Sequence, residues 1–360
     1  MWLLQGQRSP RSTRLSLDKN PTGGDYMANL AQLYKTRIKG TGSYLPDKLL
    51  TNKDLEKMMD TSDEWITERT GIKARHIAAD DQATSDLGVI AAQRALENAN
   101  VDVSEIDMIL FATVTPDYLM PNTACMLQQK LGAPNCVAMD LSAACSGLIY
   151  ALSIADQFIK TGNKKNILVV GAEVLTRFID YEDRTTCILF GDGASAVVVG
   201  PSEEGQDSDI YSHHLYAEGQ LGDLLILHGG GSKHPPRQHT VDQKLHYVDM
   251  NGRDIFKNAV RTMGRCAIEA IEHNKMTPDQ IDWMVPHQAN IRIIEATAKQ
   301  AKFPMEKVIV EIEDVGNTSA ATVGIALDRA IQKGKIQRGQ NVLLAAFGGG
   351  LTSGSLLMRY

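Results

Sequence analysis

The apolar positions of this chain change period along its length, from helix-like to strand-like and back. "ATSDLGVIAAQRALENAN" (83–100) puts small and aliphatic residues on one face and opens on Thr and Ser, which predicts an amphipathic helix. "IDMILFATVT" (106–115) is an apolar run of the length expected for a buried strand. "SGLIYALSIADQFIKTG" (146–162) predicts a second helix, ended by Gly162, and "NILVVGAEV" and "ASAVVVG" predict further strands. Such alternation predicts an α/β protein built on central sheets.

The order then repeats. "RCAIEAIEHNK" predicts a helix, "IDWMVPH" a strand, "TVGIALDRAIQKGK" a helix, and "NVLLAAF" and "GSLLMR" strands. Ala95 and Ala270, Asp107 and Asp282, Ala151 and Ala326, and Asn166 and Asn341 are all 175 residues apart. One offset across four elements predicts two similar halves, at 34–203 and 204–360, packed about a pseudo-two-fold axis. Cys145 then corresponds to Ala320, each at the start of a helix almost free of charge and so buried.

Composition narrows the class. The 360 residues are 43% hydrophobic and 22% charged, which is ordinary for a globular chain with a large core. A formal net charge of -6 argues against a general nucleic-acid binder. No apolar run reaches the roughly 18 residues that span a bilayer. Five cysteines without metal-like spacing read as reduced thiols, which predicts a cytoplasmic protein without a bound metal. Residues 1–26 are polar, basic and rich in Pro and Gly. They read as a disordered tail, as an organelle transit segment, or as residues before a true start at Met27.

The candidate chemistry centres on Cys145 in "DLSAACSGLIYAL" (140–152). A helix start carries partial positive charge and favours a thiolate, which predicts a depressed thiol pKa there. His287 ends the strand "IDWMV", and Asn317 precedes the helix equivalent to that of Cys145. Strand-to-helix junctions are where open α/β sheets place ligands. Each residue alone reads more readily as core filler, a junction residue or a helix cap; together they form a candidate site. In "AAFGGGLTSGS", an N–H of the run Gly348 to Gly350, here Gly349, could join that of Cys145 as an oxyanion hole. Neither glycine run has the spacing of a nucleotide-phosphate loop.

"TSDEWITERTGIKARHIA", "SAACSG", "VPHQANIRII", "GNTSAA" and "FGGG" stand in one order and spacing that resembles the β-ketoacyl-acyl carrier protein synthase III family. The resemblance covers nearly all of the chain beyond the tail. It implies the thiolase fold: two five-stranded βαβαβαββ halves in five α-β-α-β-α layers. It implies a triad of Cys145, His287 and Asn317 that condenses an acyl-CoA starter with malonyl-acyl carrier protein, releasing CoA and CO2. His287 and Asn317 would act as neutral donors to the enolate. The expected starter is acetyl-CoA or a similar short chain, and no cofactor is implied beyond the coenzyme A thioester substrate.

The resemblance also implies coenzyme A contacts at Thr61, Trp65, Arg69, Arg184, Gly252 and Asn290, and an acyl pocket closed by Met120 and Phe347. Many members carry Phe where Met120 stands, which leaves starter length and branching open. Carrier-protein contacts fall at Lys257, Gln288, Ala289, Asn290, Ile291, Arg292 and Lys299, and a homodimer is expected. Independently, Arg253, Lys257, Arg261 and Arg265 recur every four residues, a spacing that drifts slowly around a helix.

Two rivals use similar residues. A papain-like hydrolase also orders Cys, His and Asn, but Ser146 follows the cysteine where an aromatic would stand. A degradative thiolase needs a second cysteine near "FGGGLTSG", which has none. A related condensing enzyme of secondary metabolism shares every motif above.

Overall fold

The computed structural model describes residues 34–360, so the expectation for the tail at 1–26 lies outside the described residues. Those residues form a single compact unit, Tyr34–Tyr360. The first sheet holds β1 (Thr36–Tyr44), β2 (Met108–Ala112), β3 (Val137–Leu141), β4 (Ile167–Val174) and β5 (Asp192–Pro201), in the order β1-β5-β4-β2-β3. The second holds β6 (Asp209–Ala217), β7 (Trp283–Pro286), β8 (Asn341–Gly348) and β9 (Thr352–Arg359), in the order β6-β9-β8-β7. Parallel pairing joins β2 to both β3 and β4, and β7 to β8; the remaining neighbours are antiparallel.

The second sheet departs from the expected five strands. Its edge, where β3 would have its counterpart, is reduced to an isolated parallel bridge between Met284 and Val308.

Seven helices matter for the site: α1 (Asp63–Thr70), α2 (Thr84–Ala99), α3 (Thr123–Leu131), α4 (Gly147–Lys160), α5 (Gly252–His273), α6 (Ile291–Gln300) and α7 (Thr322–Gln332). Strand alternation sorts side chains between layers. Ile167 and Val169 of β4 face the middle core, while Leu168, Val170 and Ala172 face α2 and α3. Val342, Leu344 and Ala346 of β8 face the same middle core; Leu343 and Ala345 face α5 and α6. Leu148, Ile149 and Leu152 of α4, with Val323, Ala326 and Leu327 of α7, fill that middle. The result is five layers, α-β-α-β-α.

The duplication extends to single hydrogen bonds. Asp107 Oδ2 accepts from Asn166 N at 3.1 Å, and Asp282 Oδ2 accepts from Asn341 N at 2.7 Å. Asn166 Nδ2 donates to Glu105 O, and Asn341 Nδ2 donates to Gln280 O. Each pair of partners keeps the offset of 175 residues. Each Asp–Asn pair clamps the start of one strand to that of its parallel neighbour.

A one-turn 3-10 helix precedes each inner helix: Ala144–Ser146 before α4 and Ser319–Ala321 before α7. Ala144 has φ 45° and Ser319 φ 48°, the left-handed region that non-glycine residues rarely enter. Both halves therefore hold the same strained turn, one beside Cys145 and the other beside Ala320. Among the described residues, no helix is long and apolar enough to cross a membrane.

Candidate active site

Two cavities meet at Cys145. One is lined by Cys145, His287 and Asn317 together with Trp65, Arg69, Gly252, Ala289, Asn290 and Phe347. The other, of about 440 Å³, is lined by Cys145, Ser319 and Gly349, with apolar walls from Val114, Leu175, Phe178, Leu225 and Val248. Its volume lies in the range of small-molecule pockets. Cys145, Phe190 and Leu225 border both. The sequence-predicted triad thus comes together at one point, on elements from both halves.

The cysteine is placed by backbone contact. A Cβ on Gly348 would stand 2.5 Å from Cys145 N, so only glycine lets β8 end against the turn. Gly349 follows in the cavity wall beside Cys145. Cys145 is buried, and burial pushes its thiol up to about 12, with the Ser319 hydroxyl opposing and the Glu173 carboxylate adding to the shift. This reverses the depressed pKa expected from the helix start. Desolvation of a thiolate outweighs the partial charge of the turn, so the resting thiol is neutral.

His287 follows β7, and its N–H donates to Ala345 O at 2.8 Å. Its Nδ1 lies 2.5 Å from Thr322 Oγ1. Burial pulls its pKa down to about 3, so the imidazole is neutral. Asn317 N donates to Leu189 O at 2.9 Å, and Asn317 O accepts from Gly191 N at 3.1 Å. Its Oδ1 accepts from Ser319 N at 2.9 Å. That bond commits the amide oxygen and leaves the NH2 group as the free donor.

Two guanidinium groups stack on the Trp65 indole. Arg69 lies 4.7 Å from its ring centroid and Arg184 lies 4.9 Å away, with Arg184 also donating to Asp60 O at 2.7 Å. Each such exposed contact contributes roughly 0.5–1 kcal/mol. Asn290 caps α6 through Arg292 N and donates to Arg69 O at 2.9 Å, which ties α6 to α1.

Several expected residues are placed differently. Met120 lines neither cavity; it is 87% exposed, because Asn122 caps α3 just after it and the "YLM" segment loops outward. Phe347 lies on the His287 and Asn317 side and does not line the chamber beyond Cys145, because its ring packs in the cluster of Ala259, Met263 and Ile293. Thr61 lines neither cavity, since it precedes α1 while Trp65 and Arg69 project from it. Gln288 is only 1% exposed and cannot meet a docking protein. Its amide donates to Pro286 O and Ile309 O and accepts from Glu311 N, bracing the strand ends. Ile291 packs on Gly71, whose Cβ would stand 2.8 Å from Ile291 Cβ. Lys257, Arg292 and Lys299 are exposed. Arg292 stacks over Phe256, the neighbour of Lys257, while Arg261 and Arg265 pair with Glu218.

Residues the sequence reading missed also shape the site. Glu173 ends β4 fully buried and accepts from Thr113 Oγ1, Thr115 Oγ1 and the N–H groups of Val114 and Thr115. It fixes the Val114–Thr115 wall, and burial pushes its carboxyl up to about 7. A lone Glu in the apolar run "NILVVGAEV" was the available signal. Ser319 stands in "GNTSAA", and only the fold shows that it orients Asn317.

Comparison with known proteins agrees with this geometry. The family profiles described as 3-oxoacyl-[acyl-carrier-protein] synthase III and its C-terminal region match residues 139–219 and 271–360. A β-ketoacyl-[acyl-carrier-protein] synthase III of Caldanaerobacter subterraneus is 52% identical over 323 residues, 90% of this chain and 97% of that one. The crystal structure of 3-oxoacyl-[acyl-carrier-protein] synthase III from Aquifex aeolicus superposes with a TM-score of 0.84 at 50% identity, covering 90% of this chain and all of that one. The priming β-ketosynthase of the R1128 polyketide pathway gives 0.84 at 36% identity, covering 91% and 97%. A duplicated body whose two halves bring Cys, His and Asn to one cavity is that of a thiolase-fold condensing enzyme, an acyltransferase. Within that class the chain belongs to the β-ketoacyl-[acyl-carrier-protein] synthase III family, the initiating condensing enzymes of fatty acid synthesis.

Proposed function

We propose that Cys145, His287 and Asn317 carry a decarboxylative condensation between an acyl-CoA starter and malonyl-acyl carrier protein. The observation that carries this reading is that all three line one cavity, which meets a second, apolar one at Cys145. The Trp65 side leads coenzyme A in, and the apolar chamber beyond Cys145 takes the acyl chain.

In the first half-reaction the Cys145 proton passes to His287 Nε2 and the sulfur attacks the thioester carbonyl. The N–H groups of Cys145 and Gly349 stabilise the oxyanion. The carbon–sulfur bond to coenzyme A breaks, and the departing thiolate takes the proton from Nε2. In the second, the malonyl thioester loses CO2. The Asn317 amide and His287 hydrogen-bond the enolate oxygen, and the enolate carbon attacks the carbonyl of the acyl-cysteine. The bond from that carbonyl carbon to the Cys145 sulfur breaks, the 3-oxoacyl thioester is released, and the Cys145 thiolate takes up a proton from solvent. His287 carries the proton and N–H donors meet the negative charge, so the reading invokes no metal or redox cofactor. The chamber of about 440 Å³ exceeds what an acetyl group fills, so starters longer than two carbons fit it.

The exposed apolar run Tyr118, Leu119 and Met120, at 58%, 83% and 87%, supports a homodimer that covers it. Met120 then closes an acyl chamber only across the subunit interface. Five free cysteines support a reducing, cytoplasmic location. Arg292 in the cavity wall, with the exposed Lys257 and Lys299 on α5 and α6, supplies a dock for an acidic carrier protein.

Asn317→Ala is expected to lower malonyl decarboxylation by about 10²–10³, the effect of removing one oxyanion donor, while Cys145 is still acylated. His287→Ala lowers decarboxylation as far and slows acylation without abolishing it. Variants that lose acylation and keep decarboxylation would contradict these roles. Lys257→Glu with Arg292→Glu should weaken use of malonyl-acyl carrier protein strongly and acylation by acyl-CoA little, and added salt should reproduce the defect. Equal loss in both half-reactions removes the docking surface from the account. Light scattering should give twice the chain mass, and Leu119→Glu with Met120→Glu should halve it; a monomeric parent contradicts the dimer.

A further inference from the structure

One buried hydroxyl beside His287 has no part in the chemistry above. Thr322 opens α7 and is fully buried. Its Oγ1 lies 2.5 Å from His287 Nδ1 and 3.1 Å from the carbonyl oxygen of Ser319. A hydroxyl has one hydrogen to give. Given to Nδ1, it leaves Oγ1 and the Ser319 oxygen facing each other as two acceptors. Given to the Ser319 oxygen, it leaves Oγ1 to accept from a protonated Nδ1, and both contacts become hydrogen bonds. The second arrangement satisfies every buried group, which is what interiors require.

The imidazole is neutral, so a proton on Nδ1 leaves Nε2 bare. We propose that Thr322 is a positioning residue that holds His287 as its Nδ1–H tautomer, so that Nε2 is a lone pair ready to take the Cys145 proton. The inference rests on the reading of Cys145 and His287 as reacting partners. A neutral, buried thiol needs such an acceptor, since little thiolate exists at rest. The duplication sharpens the point. The residue equivalent to Thr322 at the offset of 175 is Gly147, so the start of an inner helix does not itself need a hydroxyl. The hydroxyl stands only in the half that carries the histidine. For the second half-reaction Nε2 gains a proton from solvent and Nδ1 returns one to it, while the hydroxyl hydrogen turns from Ser319 O to Nδ1. The Nε2–H of this other tautomer then donates to the enolate.

The test is ¹⁵N NMR of histidine-labelled protein, with His287→Gln to identify the His287 signals. The expected spectrum shows a pyrrole-type Nδ1 and a pyridine-type Nε2 in the free enzyme. Thr322→Val should lose that pattern and slow acylation of Cys145 at least about tenfold, less than the roughly 10²–10⁴ a general base contributes. Decarboxylation of malonyl thioester should fall much less, and Thr322→Ser should restore both spectrum and acylation rate. A pyrrole-type Nε2 in the parent enzyme overturns the tautomer, whatever the rates. Equal losses in both half-reactions overturn the positioning role in favour of a purely structural one. The expected spectra with unchanged acylation in Thr322→Val would refute His287 as the base for Cys145, and the tautomer assignment would stand.

Discussion

The two inner helices can start back to back only because small residues meet there. A Cβ on Gly147 would stand 3.5 Å from Ala320 Cβ and 2.9 Å from Ala112 Cβ. A Cβ on Gly171 would stand 2.5 Å from Ala320 O, and one on Gly324 only 2.2 Å from Ser195 Oγ. Well-packed cores do not absorb added methyl groups at such distances without shifting backbone. This close approach carries the rest. It brings the Cys145 turn of one half beside the Asn317–Ser319 turn of the other, and it lets β8 end against Cys145 N. His287 is then added by a strand that pairs with β8.

Burial at that seam sets the chemistry. The same exclusion of water that aligns the three groups also keeps each of them uncharged at rest, the thiol protonated and the imidazole neutral. A site of neutral groups does not attract bulk anions as a fixed charge would. It creates charge only when a thioester is in place, where preorganised N–H groups act in a low local dielectric. Permanent charges stand on Arg69 and Arg292 in the wall of the outer cavity and, outside its lining, on Arg184 beside Trp65 and on the exposed Lys257 and Lys299.

The duplicated architecture was legible because the offset falls on residues that perform the same task twice. Asp107 with Asn166 and Asp282 with Asn341 are strand clamps, and their spacing is a direct imprint of the fold. Cys145, His287 and Asn317 were legible for a related reason: each sits at a junction that the α/β order itself locates. What the sequence did not carry depends on three-dimensional context. Met120 and Gln288 follow motifs in order, but loop direction and strand bracing decide that one is exposed and the other sealed. The thiol pKa depends on how completely the turn is desolvated, which a helix start alone does not reveal. The reduced edge strand at Val308 is a single bridge, too short to leave a pattern.

The central claim is that one cysteine holds the acyl group between two half-reactions that share a site. Intact-mass spectrometry of the enzyme after acyl-CoA alone, followed by a chase with malonyl-acyl carrier protein, tests it directly. The account predicts one acyl adduct per chain, mapped to Cys145, that disappears on the chase as 3-oxoacyl-carrier protein and CO2 form together. An adduct on another cysteine, or product formed with Cys145→Ala at the parent rate, would contradict it.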